Sequence, residues 1–540
     1  MERIKSDFRK SKLLSGAALL TLSTFFVKLV GLLYKIPMLS LLGAEGMGYF
    51  NSAYELYILI VGAATAGLPV ALSVLLSGAL AKGDLPLAKR IDRTALFLCL
   101  LLGICGSSTL VLFARRFCEL IKSPNAYLSI LSIAPTLFFT CLSASFRGYF
   151  QGHSNMAPTA ISQVAEAFLK LVFGVFFSSL AKSRGCPVEV VAASAGAGLS
   201  LGSALTCLWL AVVKRRADKG QREILPSGDT ISVLKGLSRL SLPITLGVSL
   251  SGAARILDMT MILRRLQSIG MDAATANSIY GSYSTLALSV YGLLPSLVSS
   301  VCLPLVPLLS AAHASGDVKR EEELVHDGFR LIALFSVPGA VGITAFSKEI
   351  LTLLFSGQSE AVGVAAPLLS CLGISAFLSC MIGGIQSVLH ARKIVVRPLF
   401  AMLAGTFLKS VLAYFLIGNP SFAILGAPIS TLFCNLLVTL LGMAILAKGK
   451  GREPCAKVFF APLLASLGSV GVFASVFSHI QGSLKGSKAL FLCGLFLSVI
   501  LYFALAFLLG SLKREDFPFY DPKKVKKVQK MAQNKQFFQK

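Results

Sequence analysis

Residues 147–170 read RGYFQGHSNMAPTAISQVAEAFLK. The stretch opens on a glycine-bearing polar motif, Arg147, Gly148, Gln151 and Gly152, which reads as a charged turn. Pro158 follows at a position where a helix tolerates a residue without a backbone N–H, its first turn, so a helix is expected to start there. At about 1.5 Å per residue, Glu166 lies about 12 Å and Lys170 about 18 Å along it, and four-residue spacing puts both on one face. That depth is near mid-bilayer if the helix crosses a membrane. A charge there costs on the order of 3 kcal/mol on insertion scales, so the pair is expected to face a protein partner or a water-filled cavity and not lipid. Two readings follow for Glu166: a buried pair that holds helices together, or part of a site.

Working outward, the composition places this helix in a membrane. Over 540 residues the chain is 55% hydrophobic and 14% charged, with mean hydropathy +0.76. These values describe an integral membrane protein and exclude a soluble domain. The net charge of +26 falls in short loops and in the tail, which is a topological distribution, so no nucleic-acid partner is expected. The twelve cysteines show no CxxC and no metal-ligand spacing. They read as reduced packing residues, and neither a metal nor a cofactor is expected.

Fourteen segments are long and apolar enough to cross about 30 Å of hydrocarbon. They are 13–36, 50–80, 92–114, 125–147, 157–181, 187–213, 239–263, 276–310, 328–347, 361–390, 396–417, 422–447, 456–478 and 487–512. Pro69 in the second, and Pro295, Pro304 and Pro307 in the eighth, are expected to kink them. The N-terminus, the even-to-odd loops and the tail carry about three times the lysine and arginine of the other loops, so both termini are expected to be cytoplasmic. Arg115, Arg116 and Lys122 run against this bias.

An internal repeat recurs at an offset of roughly 235 residues, the scale of half a transporter. LPVALSVLLSGALAKGD (68–84) is echoed by LPLVPLLSAAHASGD (303–317), and Pro158 to Lys170 by Pro398 to Lys409. Six helices per half is an even number, so the repeat is parallel. The expected fold is an all-α membrane protein of 14 transmembrane helices. These form two parallel, pseudo-symmetric six-helix lobes plus two C-terminal helices. The expected divisions are 1–235 with a cytoplasmic linker, 236–450, helices thirteen and fourteen over 451–512, and a basic tail over 513–540.

The charges inside the spans are the candidate site. Thr21, Lys28 and Lys35 recur every seven residues on one stripe of the first helix, which needs water or an anion. Lys28 lies too deep to snorkel easily, whereas Lys35 sits nearer the end. Glu55 in the second helix either pairs with a first-helix lysine or sits in the interfacial aromatic belt. Arg255 and Asp258, three apart, are either a local ion pair or a phosphate fork with its companion. Lys28, Lys35, Lys170, Arg255 and Lys409 make the set more positive than Glu55, Glu166 and Asp258 make it negative, so an anionic head is the expected occupant. The three carboxylates are candidate sites for a coupling Na+ or proton.

RGYFQG (147–152), NMAPTAISQ (155–163), LLGAEGMGYF (41–50) and AGLPVALS (66–73) resemble the polysaccharide-exporter branch of the multidrug/oligosaccharidyl-lipid/polysaccharide superfamily. Within it the chain is similar to the SpoVB-like and MurJ-like lipid II flippases, over essentially its whole length. The resemblance implies a V-shaped bundle with two lobes around a central cationic cavity and a groove for a polyprenyl tail on the last two helices. It implies a flippase in the bacterial cytoplasmic membrane, moving undecaprenyl-pyrophosphate-linked sugars to the outer leaflet. Nothing in the sequence fixes the oligomeric state; a monomer is the expectation. Lys28 in FFVKLVG matches a basic first-helix position of that family, Lys35 falls close to a second, and Arg255 is compatible with a seventh-helix one. YELYILIVGAA (54–64) and YGLLPSLVSSV (291–301) depart from the Gram-negative pattern, having no basic residue. Two other readings share some of these features. A drug/cation antiporter of the same superfamily would need a less cationic cavity. A membrane enzyme acting on lipid-linked sugars would need carboxylate, histidine or metal-binding clusters in loops, and the five histidines are isolated.

Overall fold

A computed structural model of the chain describes residues 2–218, 229–392, 394, 396–447, 457–481 and 488–512. The linker after residue 218 and the basic tail from 513 lie outside the described residues. Among the described residues there are seventeen α-helices and no strand. In chain order they are α1 (Glu2–Thr65), α2 (Leu68–Ala81), α3 (Leu85–Leu112), α4 (Ala114–Ile121), α5 (Tyr127–Gly152) and α6 (Ala157–Ser183). Then come α7 (Val188–Asp218), α8 (Thr230–Ser268), α9 (Ala273–Ser282), a π-helical turn (Tyr283–Ala287) and α10 (Leu288–Ser315). The remainder are α11 (Val318–Ala345), α12 (Ser347–Leu354), α13 (Ser359–Ala391), α14 (Val396–Ile417), α15 (Gly426–Ala447), α16 (Lys457–Gln481) and α17 (Lys488–Leu508).

Twelve helices among the described residues are long and apolar enough to cross a membrane. The second expected span and residues 22–36 of the first lie in one stretch of 60 residues, Leu22–Ala81. At about 1.5 Å per residue this is about 90 Å, three times the hydrocarbon thickness, so it cannot be one straight crossing. It is interrupted at Gly43, whose backbone (φ 69°, ψ 179°) lies where essentially only glycine goes, and again at Gly67, just before Pro69 in the first turn of α2. The eighth expected span, 276–310, is assembled from α9, the π turn and α10 and is not one of the twelve.

Helix ends follow capping chemistry. Asp84 accepts from the Leu87 N–H at 3.0 Å to start α3, and Asp317 accepts from the Arg320 N–H at 3.0 Å to start α11. Each follows a left-handed glycine, Gly83 (φ 74°) and Gly316 (φ 71°), that ends the helix before it. The Asp84 N–H bonds back to the Ala79 carbonyl at 3.0 Å, and the Asp317 N–H to Ala312 at 3.2 Å. The two echoed segments of the repeat thus make the same stop-and-start. Pro158 sits in the first turn of α6 and Pro398 in that of α14.

Two compact units divide the chain. The first comprises Met1–Leu293, Leu354–Leu368 and Thr406–Thr431; the second comprises Leu294–Leu353, Leu369–Gly405 and Leu432–Lys540. In the first, Leu72, Leu76, Ile91, Phe146, Leu210 and Leu237 join α2, α3, α5, α7 and α8 in one buried cluster. In the second, Leu334 of α11 packs with Ala465, Tyr502 and Ala506 of α16 and α17, and the buried Tyr502 hydroxyl donates to the Leu334 carbonyl at 2.7 Å.

The polar motif at 147–152 is not a turn. It forms the last turns of α5, and the chain reverses at His153–Asn155, where the Ser154 N–H bonds the Gln151 carbonyl at 2.9 Å. The glycines are there for packing. A Cβ at Gly148 would lie 3.0 Å from the Pro69 Cα, and one at Gly152 2.8 Å from Leu76, so both let α5 approach α2.

Candidate functional site

The candidate charged residues named from the sequence fall into three groups in the first unit. In the first, α7 lies against α6 because Gly202 has no side chain: a Cβ there would be 2.8 Å from the Lys170 backbone nitrogen. That approach brings the Ser203 hydroxyl to within 3.0 Å of Glu166 Oε1, to which it donates. Lys170 Nζ is 2.7 Å from the same oxygen, and Arg147 Nη2 of α5 donates to Oε2 at 2.6 Å. Arg147 Nε also donates to the Ser162 hydroxyl at 3.0 Å. Glu166 is buried with both oxygens taken, so this cluster is the buried-pair arrangement, extended to a triad. It carries one net positive charge.

The second group joins α1, α8 and α14. Gly252 of α8 lets that helix meet α1 at Leu59, where a Cβ would lie 3.2 Å from the Leu59 Cα. One helical turn away on each helix, Arg255 Nε donates to Glu55 Oε2 at 3.0 Å. Three residues along α8, Asp258 accepts from Lys409 of α14. Arg255 and Asp258 are thus engaged by different residues, and Glu55 accepts from Arg255 of α8. The charges alternate in sign from Glu55 through Arg255 and Asp258 to Lys409.

The third group forms at the π turn. A π turn leaves the regular i→i−4 pattern and frees carbonyls for other donors. Lys35 Nζ donates to the Ser284 carbonyl at 3.3 Å and to the Ser289 hydroxyl at 2.7 Å. The buried Asn51 amide donates to the Ser284 and Thr285 hydroxyls, each at 2.8 Å. Lys35 therefore does not reach outward along its helix but is held by protein. Lys28, seven residues earlier on the same stripe of α1, has an exposed side chain.

Together these groups hold six cations (Lys28, Lys35, Arg147, Lys170, Arg255, Lys409) and three carboxylates (Glu55, Glu166, Asp258). An apolar bundle with that imbalance attracts anions. Reasoning from sequence missed Arg147 as an ion-pair partner, the hydroxyls of Ser162 and Ser203, and the polar set Asn51, Ser284, Thr285 and Ser289. The run of hydroxyls in YGSYSTLALS (280–289) was the one available signal for the last of these. Among the described residues no three His, Cys, Asp or Glu side chains gather to hold a metal ion.

The profile of the family described as polysaccharide biosynthesis protein matches residues 13–313, and that of the MatE family matches residues 273–415. The chain is 25% identical over 445 residues to stage V sporulation protein B of Bacillus subtilis, covering 81% of this chain and 84% of that protein. It is 24% identical over 369 residues to the lipid II flippase MurJ of the same organism, covering 65% and 67%. A solved structure of the lipid II flippase MurJ in an inward closed conformation aligns with TM-score 0.64 at 17% identity, covering 91% of this chain and 98% of that one.

Proposed function

Because this chain belongs to the polysaccharide biosynthesis protein family, as a multi-pass membrane transporter and not an enzyme, we propose that it flips undecaprenyl-pyrophosphate-linked sugars across the cytoplasmic membrane. Lipid II is the proposed cargo, since one relative of similar length is the lipid II flippase MurJ. The observation that carries this reading is the excess of cations over carboxylates among the membrane-embedded charges of the first unit. Guanidinium and ammonium groups bind phosphate oxygens by charge-assisted hydrogen bonds, and Arg255 and Lys28 are the exposed members of the set. No bond is made or broken. The head group enters from the cytoplasmic side, its phosphates pair with these cations, and a change of conformation opens the site to the other face while the polyprenyl tail stays in lipid. An inside-negative potential favours this direction by about 2.3 kcal/mol per charge per 100 mV.

Residues 1–235 and 236–450 are the proposed lobes, with α16 and α17 holding the tail. A drug/cation antiporter is the second reading, and the match of the MatE profile to 273–415 favours it. Against it, each carboxylate expected to hold a coupling ion already faces a cation of the chain: Glu55 faces Arg255, Glu166 faces Arg147 and Lys170, and Asp258 faces Lys409. A coupling Na+ or proton has to displace one of these.

The test is flipping of a fluorescent undecaprenyl-pyrophosphate sugar by purified protein in liposomes under an imposed potential. Lys28→Ala and Arg255→Ala are expected to slow it about tenfold or more, the scale of a lost charge-assisted hydrogen bond of about 1.5–3 kcal/mol. If the wild type moves the probe no faster than empty vesicles, the cargo assignment is wrong.

A further inference from the structure

The ion pairs of Glu166 and Glu55 differ in how firmly their carboxylates are held. Glu166 is buried and bonded by Arg147, Lys170 and Ser203. Glu55 makes one contact with Arg255, through Nε, which is one of the guanidinium's five N–H donors. The Arg255 side chain in that pair is 44% exposed and the Glu55 side chain 24%. An exposed pair with one hydrogen bond is weak and exchanges readily with other anions. Glu55 is also tethered, so it competes for Arg255 at a fixed high local concentration whatever the membrane contains.

A tethered carboxylate carries one negative charge, the same as a phosphodiester. The bilayer around this protein presents phosphodiesters in great excess over any carried lipid, and in acidic glycerophospholipids such as phosphatidylglycerol that charge has no cation of its own head group beside it, unlike the choline-paired phosphate of phosphatidylcholine. A site made only of cations would fill with them. A pyrophosphodiester carries two adjacent charges and can take the guanidinium fork while also meeting a neighbouring cation.

We propose that Glu55 is a specificity-determining residue, a built-in competitor that keeps Arg255 from binding acidic lipids with a single phosphodiester and yields it to a pyrophosphodiester. This rests on the reading of Arg255 as a phosphate ligand. Asp258, three residues from Arg255 on α8, is engaged by Lys409, which leaves Glu55 as the carboxylate that occupies Arg255. Exclusion therefore depends on Glu55, and its removal opens the site to bulk lipid without taking away a phosphate ligand.

The experiment measures binding of a fluorescent undecaprenyl-pyrophosphate sugar to the full chain in nanodiscs of phosphatidylcholine alone, or with a third of the lipid replaced by phosphatidylglycerol. Wild type binds the probe equally in both membranes, a comparison that needs no variant. E55Q binds at least as tightly as wild type in phosphatidylcholine and about tenfold more weakly once phosphatidylglycerol is present. E55D, which keeps the carboxylate, restores the insensitivity. The proposal is overturned if wild type itself weakens in phosphatidylglycerol, or if E55Q is as insensitive as wild type. It is overturned as well if E55Q loses affinity equally in both membranes, since Glu55 is then a structural support of the site. Arg255→Ala in phosphatidylcholine separates the two levels. Unchanged binding there removes Arg255 as a phosphate ligand and with it the site itself, whereas weakened binding together with an insensitive E55Q removes only the role given to Glu55.

Discussion

Glu166 is the side chain on which the interior of the first unit turns. It accepts from Arg147 at 2.6 Å and Ser203 at 3.0 Å, and its Oε1 lies 2.7 Å from Lys170 Nζ. Removing it leaves two cations buried side by side with no counter-charge. Breaking a buried pair in this way costs about 3–5 kcal/mol, more than the pair contributes relative to an apolar replacement. Glu166→Leu is therefore expected to lower the unfolding temperature of the protein in detergent sharply. Lys170→Met, which leaves Glu166 paired with Arg147, is expected to lower it less. Equal, small shifts from both would mean that the triad is hydrated and weak. Only part of this triad was legible from sequence. Glu166 and Lys170 are four apart on one helix, which spacing reveals, but Arg147 sits on another helix and meets them through the close approach of α5, α6 and α7. The partners of Glu55 and Asp258, α8 and α14, were hidden for the same reason: nothing local in a sequence records which helix faces another.

Elements were read more fully, and the reason is local chemistry. A left-handed glycine followed by a capping aspartate marks both Gly83–Asp84 and Gly316–Asp317, and a proline in the first turn marks α6 and α14. Each signal acts within a few residues, so the sequence carries it whole. The π turn at Tyr283–Ala287 has no such code, because it arises where Asn51 and Lys35 engage its hydroxyls and carbonyls from another helix. The break at Gly43 is intermediate: glycine is necessary for it, but other glycines in α1, such as Gly31, sit in regular helix. A Cβ would meet nothing within 4 Å at either position, so substitution isolates backbone cost from packing. Gly43→Ala is expected to destabilise by about 1–3 kcal/mol, the cost of a non-glycine residue in that region. Gly31→Ala is expected to be neutral or to stabilise by up to about 1 kcal/mol, as alanine is the better helix former. Thermal unfolding of the two variants side by side checks both. Opposite signs place the interruption at Gly43, whereas matching effects would mean that α1 runs straight through it.

At the scale of the whole molecule, the proposed topology has both termini on the cytoplasmic side. The bias of lysine and arginine drives it, and the chain offers native and introduced reporters that test it. Arg115 and Arg116, which oppose the bias, belong to α4, a short amphipathic helix whose Ala114, Cys118 and Ile121 are buried while both arginines are exposed. Their guanidinium carbons lie 5.7 Å from the Tyr127 ring centre and 5.6 Å from that of Phe113, so they are held against aromatic faces as a surface helix and not strung along an open loop. By the proposed topology Cys186, in the turn between α6 and α7, faces outward, and Lys82, after α2, faces the cytoplasm. A membrane-impermeant maleimide added to intact cells is expected to label Cys186 and to stop doing so in Cys186→Ser. Lys82→Cys is expected to react only after permeabilisation. Cys118 stays silent in either orientation, because burial, helped by the neighbouring Glu119 carboxylate, pushes its thiol up to about 11 and keeps it protonated. Labelling of Lys82→Cys in intact cells, with Cys186 protected, would invert the topology. The direction proposed for the cargo would invert with it, since the inside-negative potential would then oppose the movement of the phosphates.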